Sequence, residues 1–476
     1  MSEVWISELK SLLGETHVSG DPLDLEWATY DFTGDDRLGA KKAWAQRPLA
    51  VVWPGSTEEV AEVLRWAEER KVPLVPRGGG TGVMGGAVPL KPSVVVDLSR
   101  LDDIAVHAEN LLVEAGAGAR LGDVQRALRP YGLMVAHDPW SQGIASVGGA
   151  ISTDGVGYLA GRFGSMGQQV VALEAVLPGG RIIRTRLSPK PSAGPDLRAL
   201  FIGSQGTFGI ITRAWIRVIP LPETMIFRTY RFRGFEPGFR AIVRLWREGV
   251  VPDLLDFGDD TPEEQEVSPG FEDEEGRTGI LHLGFFGLKE EAWGRFAAAR
   301  RLLEEGEVRD EGEEPARRFW EERHALAEEE ALPILKSRDP VRRAQMGHLE
   351  YLNLALPIGE VLPYRREALD LLKGERAFRA GETGIWGRPE VFSLLILPRD
   401  GETYDREGFS RLLEELLRRA QRRGAAMEYI HGTGVKLLPL LKEEWGPSLE
   451  VIHRLKKALD PSDLLNPGKW GEGQDF

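Results

Sequence analysis

The chain has no cysteine, no long apolar run and no basic excess, and each lack closes off some chemistry. Without cysteine, disulfides, thiolate catalysis, Cys-ligated zinc and Cys-ligated iron–sulfur clusters are excluded from this chain. The longest apolar run, VFSLLILP at 391–398, is far too short to span a bilayer, and MSEVWISELK at the N-terminus lacks the apolar core of a signal peptide. Sixty Lys and Arg against 74 Asp and Glu leave a formal charge of −14, with the basic residues dispersed. Neither nucleic acid nor an anionic membrane surface is then an electrostatic partner, and a cytoplasmic location is expected. At 476 residues, 42% hydrophobic and 28% charged, the chain suits a soluble protein with an ample core.

LAVVWP (49–54) reads as a buried strand ended by proline. In STEEVAEVLRWAEERK (56–71), Ser56 and Glu59 have capping-box spacing, and Val60, Val63, Leu64 and Ala67 fall on one helical face. VPLVP (72–76) completes a βαβ unit that leads into PRGGGTGVMGG (76–86). Strands follow at 93–98, 110–116, 170–178, 181–187 and within 203–220, with a helix at 121–132. Between them, HDPWSQGIASVGGAISTDGVGYLAGRFGSMG (137–167) is a long stretch of low helix and strand propensity, which in a compact domain marks function. Beyond Pro222, strands such as MIFRTYRF and GILHLGFF mix with Glu/Arg-rich helices, as in a second, α+β domain. Its acidic segment 259–277 reads as a solvated insertion, with docking of an electron-transfer partner as the alternative.

Gly80-Thr81-Gly82-Val83-Met84-Gly85 matches G-x-G-x-x-G after a strand, but a dinucleotide site of that kind needs a helix to start there. Pro89 and Pro92 exclude one. No lysine precedes Lys91 in the run, so a P-loop fails as well. What remains is a nest of backbone N–H groups that holds an anion without a helix. A plain flexible loop would explain one glycine run but not three, at 76–86, 143–157 and 203–209. Three close backbone approaches suggest one long ligand lying across them.

The motifs PRGGGTG (76–82), HDPWSQGIASVGGAISTDGVGY (137–158), GRFG (161–164), GSQGTFGIIT (203–212) and LLNPGK (464–469) resemble those of a known family. It is that of the vanillyl-alcohol-oxidase-type (PCMH-type) FAD flavoproteins, in the branch of the glycolate-oxidase catalytic subunit, D-lactate dehydrogenases and alkyl-dihydroxyacetonephosphate synthase. The resemblance implies an α+β fold in four parts. These are an N-terminal helical segment (1–47), a PCMH-type two-subdomain FAD-binding domain (48–220), a substrate or cap domain (221–425) and a C-terminal segment (426–476) returning to the flavin. Carried over residue by residue, Pro76, Arg77, Gly78, Gly79, Gly80, Thr81 and Gly82 cradle the FAD diphosphate. Ser146, Val147, Gly148, Gly149, Ser152 and Thr153 run along the flavin and ribityl chain; Gly206, Gly209 and Ile211 lie by the nucleotide, and Asn466 lies near the isoalloxazine. Members with covalent flavin often carry His where this chain has Thr81, so FAD is expected to be non-covalent.

Oxidising a hydroxy acid at a flavin needs a base for the hydroxyl proton and a cation for the carboxylate. The resemblance offers His431, in EYIHGTG (428–434), as the base and Arg323, in FWEER (319–323), as the carboxylate anchor. A capped turn histidine and a surface arginine are the plainer readings of the same residues. Hydroxy-acid dehydrogenases of this branch also hold a divalent metal by two histidines and a glutamate. Here Ile385 and Phe392, in GIWGRPEVF (384–392), stand in for the histidines and Ile430 for the glutamate, while His348 in MGHLEYLN fits an earlier element, so no metal is expected. The implied function is that of an FAD-dependent oxidoreductase acting on a small 2-hydroxy acid or alcohol by hydride transfer to flavin N5. Electrons would pass to a partner subunit, a quinone or oxygen, any iron–sulfur relay would sit on another chain, and the protein would be a homo-oligomer. The alternatives are a flavin transferase like alkyl-dihydroxyacetonephosphate synthase and a non-catalytic flavin-binding subunit of a glycolate-oxidase-like complex.

Overall fold

The computed structural model describes residues 2–33, 44–260, 276–337, 350–399 and 405–471. His348 and most of the acidic segment 259–277 lie outside the described residues.

Short valine-rich segments build the first sheet. Strands β1 (Val18–Ser19), β2 (Ala50–Val52), β3 (Leu74–Arg77) and β4 (Val94–Asp97) lie in the order β1-β2-β4-β3, with β2, β4 and β3 parallel. Both faces are buried: Val51, Val75 and Val95 pack with Trp27 and Trp53, while Ala50, Val52, Leu74, Val94 and Val96 enter the larger core. The helix Thr57–Arg70 makes the crossover between β2 and β3, with β4 inserted between the two strands. Its N-terminus is half of the expected capping box. The Ser56 side chain accepts from Glu59 N, but Glu59 reaches back to Gly55 N rather than to Ser56.

The second sheet comprises β5 (Ile104–His107), β6 (Leu112–Gly116), β8 (Val170–Leu177), β9 (Arg181–Arg184) and β10 (Ile210–Arg217), while β7 (Leu133–Met134) pairs with β11 (Ile219–Pro220). Its order is β5-β6-β10-β8-β9, antiparallel throughout. The stretch 137–167, read above as propensity-poor, folds into the short helices Val147–Thr153, Ala160–Phe163 and Met166–Gln169. Capping and tertiary bonds supply what propensity lacks: Ser146 caps the first helix, and Val147 N and Gly148 N donate to Ala119 O and Ala117 O.

Strands β12 (Thr224–Phe232), β13 (Leu254–Asp260), β14 (Thr278–Gly287), β15 (Val308–Gly312), β16 (Glu350–Ala355), β17 (Phe378–Trp386) and β18 (Val391–Pro398) form the third sheet, in the order β15-β12-β14-β13-β17-β18-β16. Alternation sorts its side chains. Tyr230, Phe257, Leu283, Ile385, Phe392 and Leu354 face a helical layer that includes Phe235–Arg247, Lys289–Leu303, Val361–Gly374 and Arg406–Arg422. The other face carries Phe227, Leu254 and Phe286, which pack against Tyr158, Leu159 and Phe163 of the glycine-rich stretch. Arg162 locks this seam, donating to the buried Asp253 at 2.8 Å, to Phe286 O at 3.1 Å and to Glu291 at 2.6 Å.

Candidate cofactor and active site

Four segments far apart in sequence meet beside the first sheet. The loop after β3 carries the glycine run, and no helix follows it, as Pro89 and Pro92 require. Gln205 N donates to Ser152 O, and its side chain ties the 428–434 turn by accepting from Gly434 N at 2.9 Å and donating to Thr433 at 2.7 Å. The chain at Gly434 comes so near the loop that a Cβ there would lie 2.0 Å from Met84 O. Asn466 joins the set, its side chain donating to Gly86 O at 3.0 Å and Gln205 O at 2.7 Å. Behind the loop, the fully buried Lys469 donates to Gly85 O at 2.7 Å and Val88 O at 2.8 Å. Burial pulls its pKa down to about 7, against the charge of Asp31.

Two features of this meeting point fit a long phosphate-bearing ligand. The N–H groups of Gly80, Thr81 and Gly82 have no partner among the described residues, as a nest requires. Asn466 Oδ1 is a buried acceptor without a partner. The other expected residues take distinct places. Arg77 turns its guanidinium inward, over the Trp27 ring, onto Tyr30 O and against Gly80, where a Cβ would meet Nη2. Gly79 is pressed on the next segment, where a Cβ would lie 2.4 Å from Ile144 O, and Ser146 Oγ accepts from both Gly79 N and Gly149 N at 3.3 Å. Val147, Gly148 and Gly149 thus donate within the fold and give the site shape rather than donors, and Thr153 donates to Gly149 O. Gly206, at positive φ, backs on Pro76, whereas Gly209 and Ile211 are packed into the second sheet against Phe201 and within the core.

A polar cluster occupies the seam between the glycine-rich stretch and the third sheet. Asp138 is buried and accepts from Arg323 Nε at 2.8 Å, Gln142 at 2.8 Å and His324 Nε2 at 2.7 Å. Burial alone would raise its carboxyl, but the hydrogen bond from His324 and the charge of Arg323 outweigh that and hold it below the usual carboxylate range. Arg323 also lies over the Trp320 ring and donates to Trp320 O, which leaves Nη2 uncommitted among the described residues. Tyr158 donates to Arg323 O, meets the rings of Trp386, Phe319 and His324, and has its phenol pushed up by burial and then by Asp256 and Asp138. Neighbouring His137 is buried, and burial brings its imidazole down to about 4. Across the sheet, Thr229, His282, Asp256 and Trp386 stand in register on this same face. His282, also brought down to about 4 by burial and then by Arg318, bonds Thr229 at 3.0 Å and stacks on Phe319. None of Asp138, Tyr158, His282 or His324 was a sequence candidate, although histidine is scarce enough, at 8 in the chain, to have been a signal.

His431 lies on a turn where Gly432 approaches Thr153 and Gln205. Glu428 accepts from Ile430 N at 2.7 Å and His431 N at 2.9 Å, shaping that turn. The imidazole Nδ1 is 3.5 Å from Glu428 Oε1 but makes no hydrogen bond. Ile385 and Phe392 pair across β17 and β18 and point into the helical layer, where Phe392 meets Phe235 and Tyr364. The positional match to a pair of metal-binding histidines therefore falls on the face turned away from the seam. Among the described residues, no group of three or more His, Asp or Glu could hold a metal ion.

Residues 48–186 match the family described as FAD binding domain, and residues 221–470 match FAD linked oxidases, C-terminal domain. The chain is similar to a D-lactate dehydrogenase of Archaeoglobus fulgidus, at 29% identity over 477 residues and 98% of each chain. It is also similar to glycolate oxidase subunit GlcD of Bacillus subtilis, at 28% identity over 444 residues and 90% of each chain. Its fold is like that of alkyldihydroxyacetonephosphate synthase, with a TM-score of 0.76 at 19% identity over 98% of this chain and 84% of the other. No helix among the described residues is long and apolar enough to cross a membrane. With both family regions present and the nest and buried acceptor in place between them, the chain belongs to the FAD-linked oxidases and is an FAD-dependent oxidoreductase.

Proposed function

We propose that this chain oxidises a small 2-hydroxy acid to the 2-oxo acid, with FAD held non-covalently. Backbone N–H groups of Gly80, Thr81 and Gly82 would hold the diphosphate, and Asn466 Oδ1 would accept from the flavin end. When bound, FAD supplies a two-electron acceptor for the carbinol hydrogen. The observation that carries the substrate reading is Arg323: a guanidinium held on buried Asp138, with Nη2 left for a carboxylate at the seam. The full-length likeness to a D-lactate dehydrogenase and to GlcD supports the same class of substrate. Trp386 and Tyr158 would wall the site and keep water out, and a general base must take the hydroxyl proton. The sequence puts His431 forward for that task, and the fold brings a second imidazole, His324, to the seam.

In this reading the division into parts follows 1–47, 48–220, 221–425 and 426–476. The protein is a cytoplasmic homo-oligomer that passes electrons to a partner subunit, a quinone or oxygen. The test is anaerobic addition of D-lactate, glycolate or D-2-hydroxyglutarate to the purified flavoprotein. Loss of the oxidised-flavin absorbance with one of them is the expected result. A yellow protein that bleaches with none points instead to a transferase or a non-catalytic subunit.

A further inference from the structure

We infer that Lys469 is the buried counter-cation of the bound cofactor, gaining its proton when the FAD diphosphate seats on the loop in front of it. The inference rests on the placing of the diphosphate on Gly80–Gly82 and needs nothing of the hydroxy-acid reading. A nest of backbone N–H groups carries only partial positive charge, whereas a diphosphate brings full negative charge. The loop has no side chain to set against it, since residues 78–88 include no ionisable group. Compensation from this chain then comes from behind the loop, where two buried cations stand. Arg77 Nη2 backs Gly80, and Lys469 donates to Gly85 O and Val88 O at 2.7 and 2.8 Å. Only the second can respond to the ligand, because a guanidinium keeps its proton and a buried amine can lose one.

A chain of contacts joins Lys469 to the nest. Asp31 Oδ2 accepts at 3.3 Å from Ala87 N, in the stretch that Lys469 holds, and a Cβ at Gly82 would lie 3.2 Å from the same oxygen. The next residue, Phe32, donates its N–H to Gly80 O at 2.8 Å. The hydrogen bonding of Lys469 suits a neutral amine in the free protein: two carbonyls take two N–H groups, and a third finds no acceptor among the described residues. Burial disfavours the ammonium and outweighs the pull of Asp31, so the amine titrates at about 7. The other charged and titratable groups packed nearby are committed elsewhere, Arg77 to Tyr30 O, Lys456 to Asp460 and His453 to Trp470 O. A diphosphate on Gly80–Gly82 adds its charge to that of Asp31 and raises the titration point of Lys469. The gain in cofactor affinity is then fully present below about pH 7 and is lost as pH rises through the bound-state value. For one proton, the fall is at most about tenfold per pH unit.

The test follows oxidised FAD binding to the apoprotein by flavin fluorescence from about pH 6 to 9, and by calorimetry at about pH 8 in two buffers of different ionisation enthalpy. At that pH the free protein carries the Lys469 proton on about one chain in ten. Wild type should show a Kd that is flat below about pH 7 and climbs above it toward tenfold per unit, with net proton uptake on binding. Lys469→Gln keeps N–H donors for the loop carbonyls but no charge. It should bind FAD at least about tenfold more weakly near pH 6.5, with neither the climb nor the uptake. Should that variant fail to fold, Asp31→Asn carries the test: without the carboxylate Lys469 gives up its proton more readily, and the climb should begin at lower pH. A lysine that merely braced the loop would weaken binding in K469Q but leave the pH profile parallel to wild type. That result, a wild-type Kd constant with pH, equal proton uptake in wild type and K469Q, or a climb unmoved in D31N would each overturn the inference while leaving FAD binding intact. A protein that takes up no FAD at any pH would overturn the cofactor reading and this inference with it.

Discussion

Replacing Lys469 with methionine should flatten the response of stability to alkaline pH. In the wild type, burial brings the ammonium from 10.5 to about 7, opposed by Asp31. Between these values the unfolded chain holds a proton that the folded chain does not, so stability rises with pH through this window. The slope from this one group is about 1.4 kcal/mol per pH unit, and the whole effect is on the order of 5 kcal/mol. The cost is fully present below about pH 7 and gone above 10.5. Methionine removes that titration but strands Gly85 O and Val88 O, at about 1–3 kcal/mol for each orphaned acceptor. Wild type should therefore be the more stable protein at alkaline pH by about 2–6 kcal/mol, and the gap should close or reverse toward about pH 6. Thermal or urea midpoints of the two apoproteins across this range measure it directly. A gap that stays constant with pH would refute the reasoning, because it would mean that Lys469 keeps its charge, or loses it, equally in both states.

Two further outcomes test the cradle. Gly79→Ala puts a Cβ 2.4 Å from Ile144 O, a backbone atom with little room to move, and should weaken FAD binding at least about tenfold in a flavin-fluorescence titration; an unchanged Kd would show that the two segments are not held in contact by the cofactor site. Acid precipitation should release all the yellow chromophore into the supernatant, since Thr81 offers no nitrogen for a covalent link, and colour retained in the pellet would contradict this.

The parts of this protein legible in its sequence are those set by local pattern. The amphipathic face of Thr57–Arg70, the valine strands and the helix-free glycine run each declare themselves within a few residues. The meeting of the three glycine-rich segments follows because glycine runs mark close backbone approach. The seam does not follow, because its partners meet only through the fold. Asp138 and His324 are 186 residues apart, Gln205 and Gly434 are 229 apart, and Lys469 and Gly85 are 384 apart. No periodicity announces such pairs.

Ile385 and Phe392 show a different limit. Matching positions by count identifies a residue but not its face, and in a strand a difference of one residue exchanges the two faces. Both side chains turn into the helical layer, while Trp386, one residue on, reaches Tyr158 at the seam. From β17 the seam thus receives an indole rather than a metal-ligating group. The imidazole that the sheet does present, His282, is bonded to Thr229, stacked on Phe319 and brought down to about 4, where it stays neutral at physiological pH.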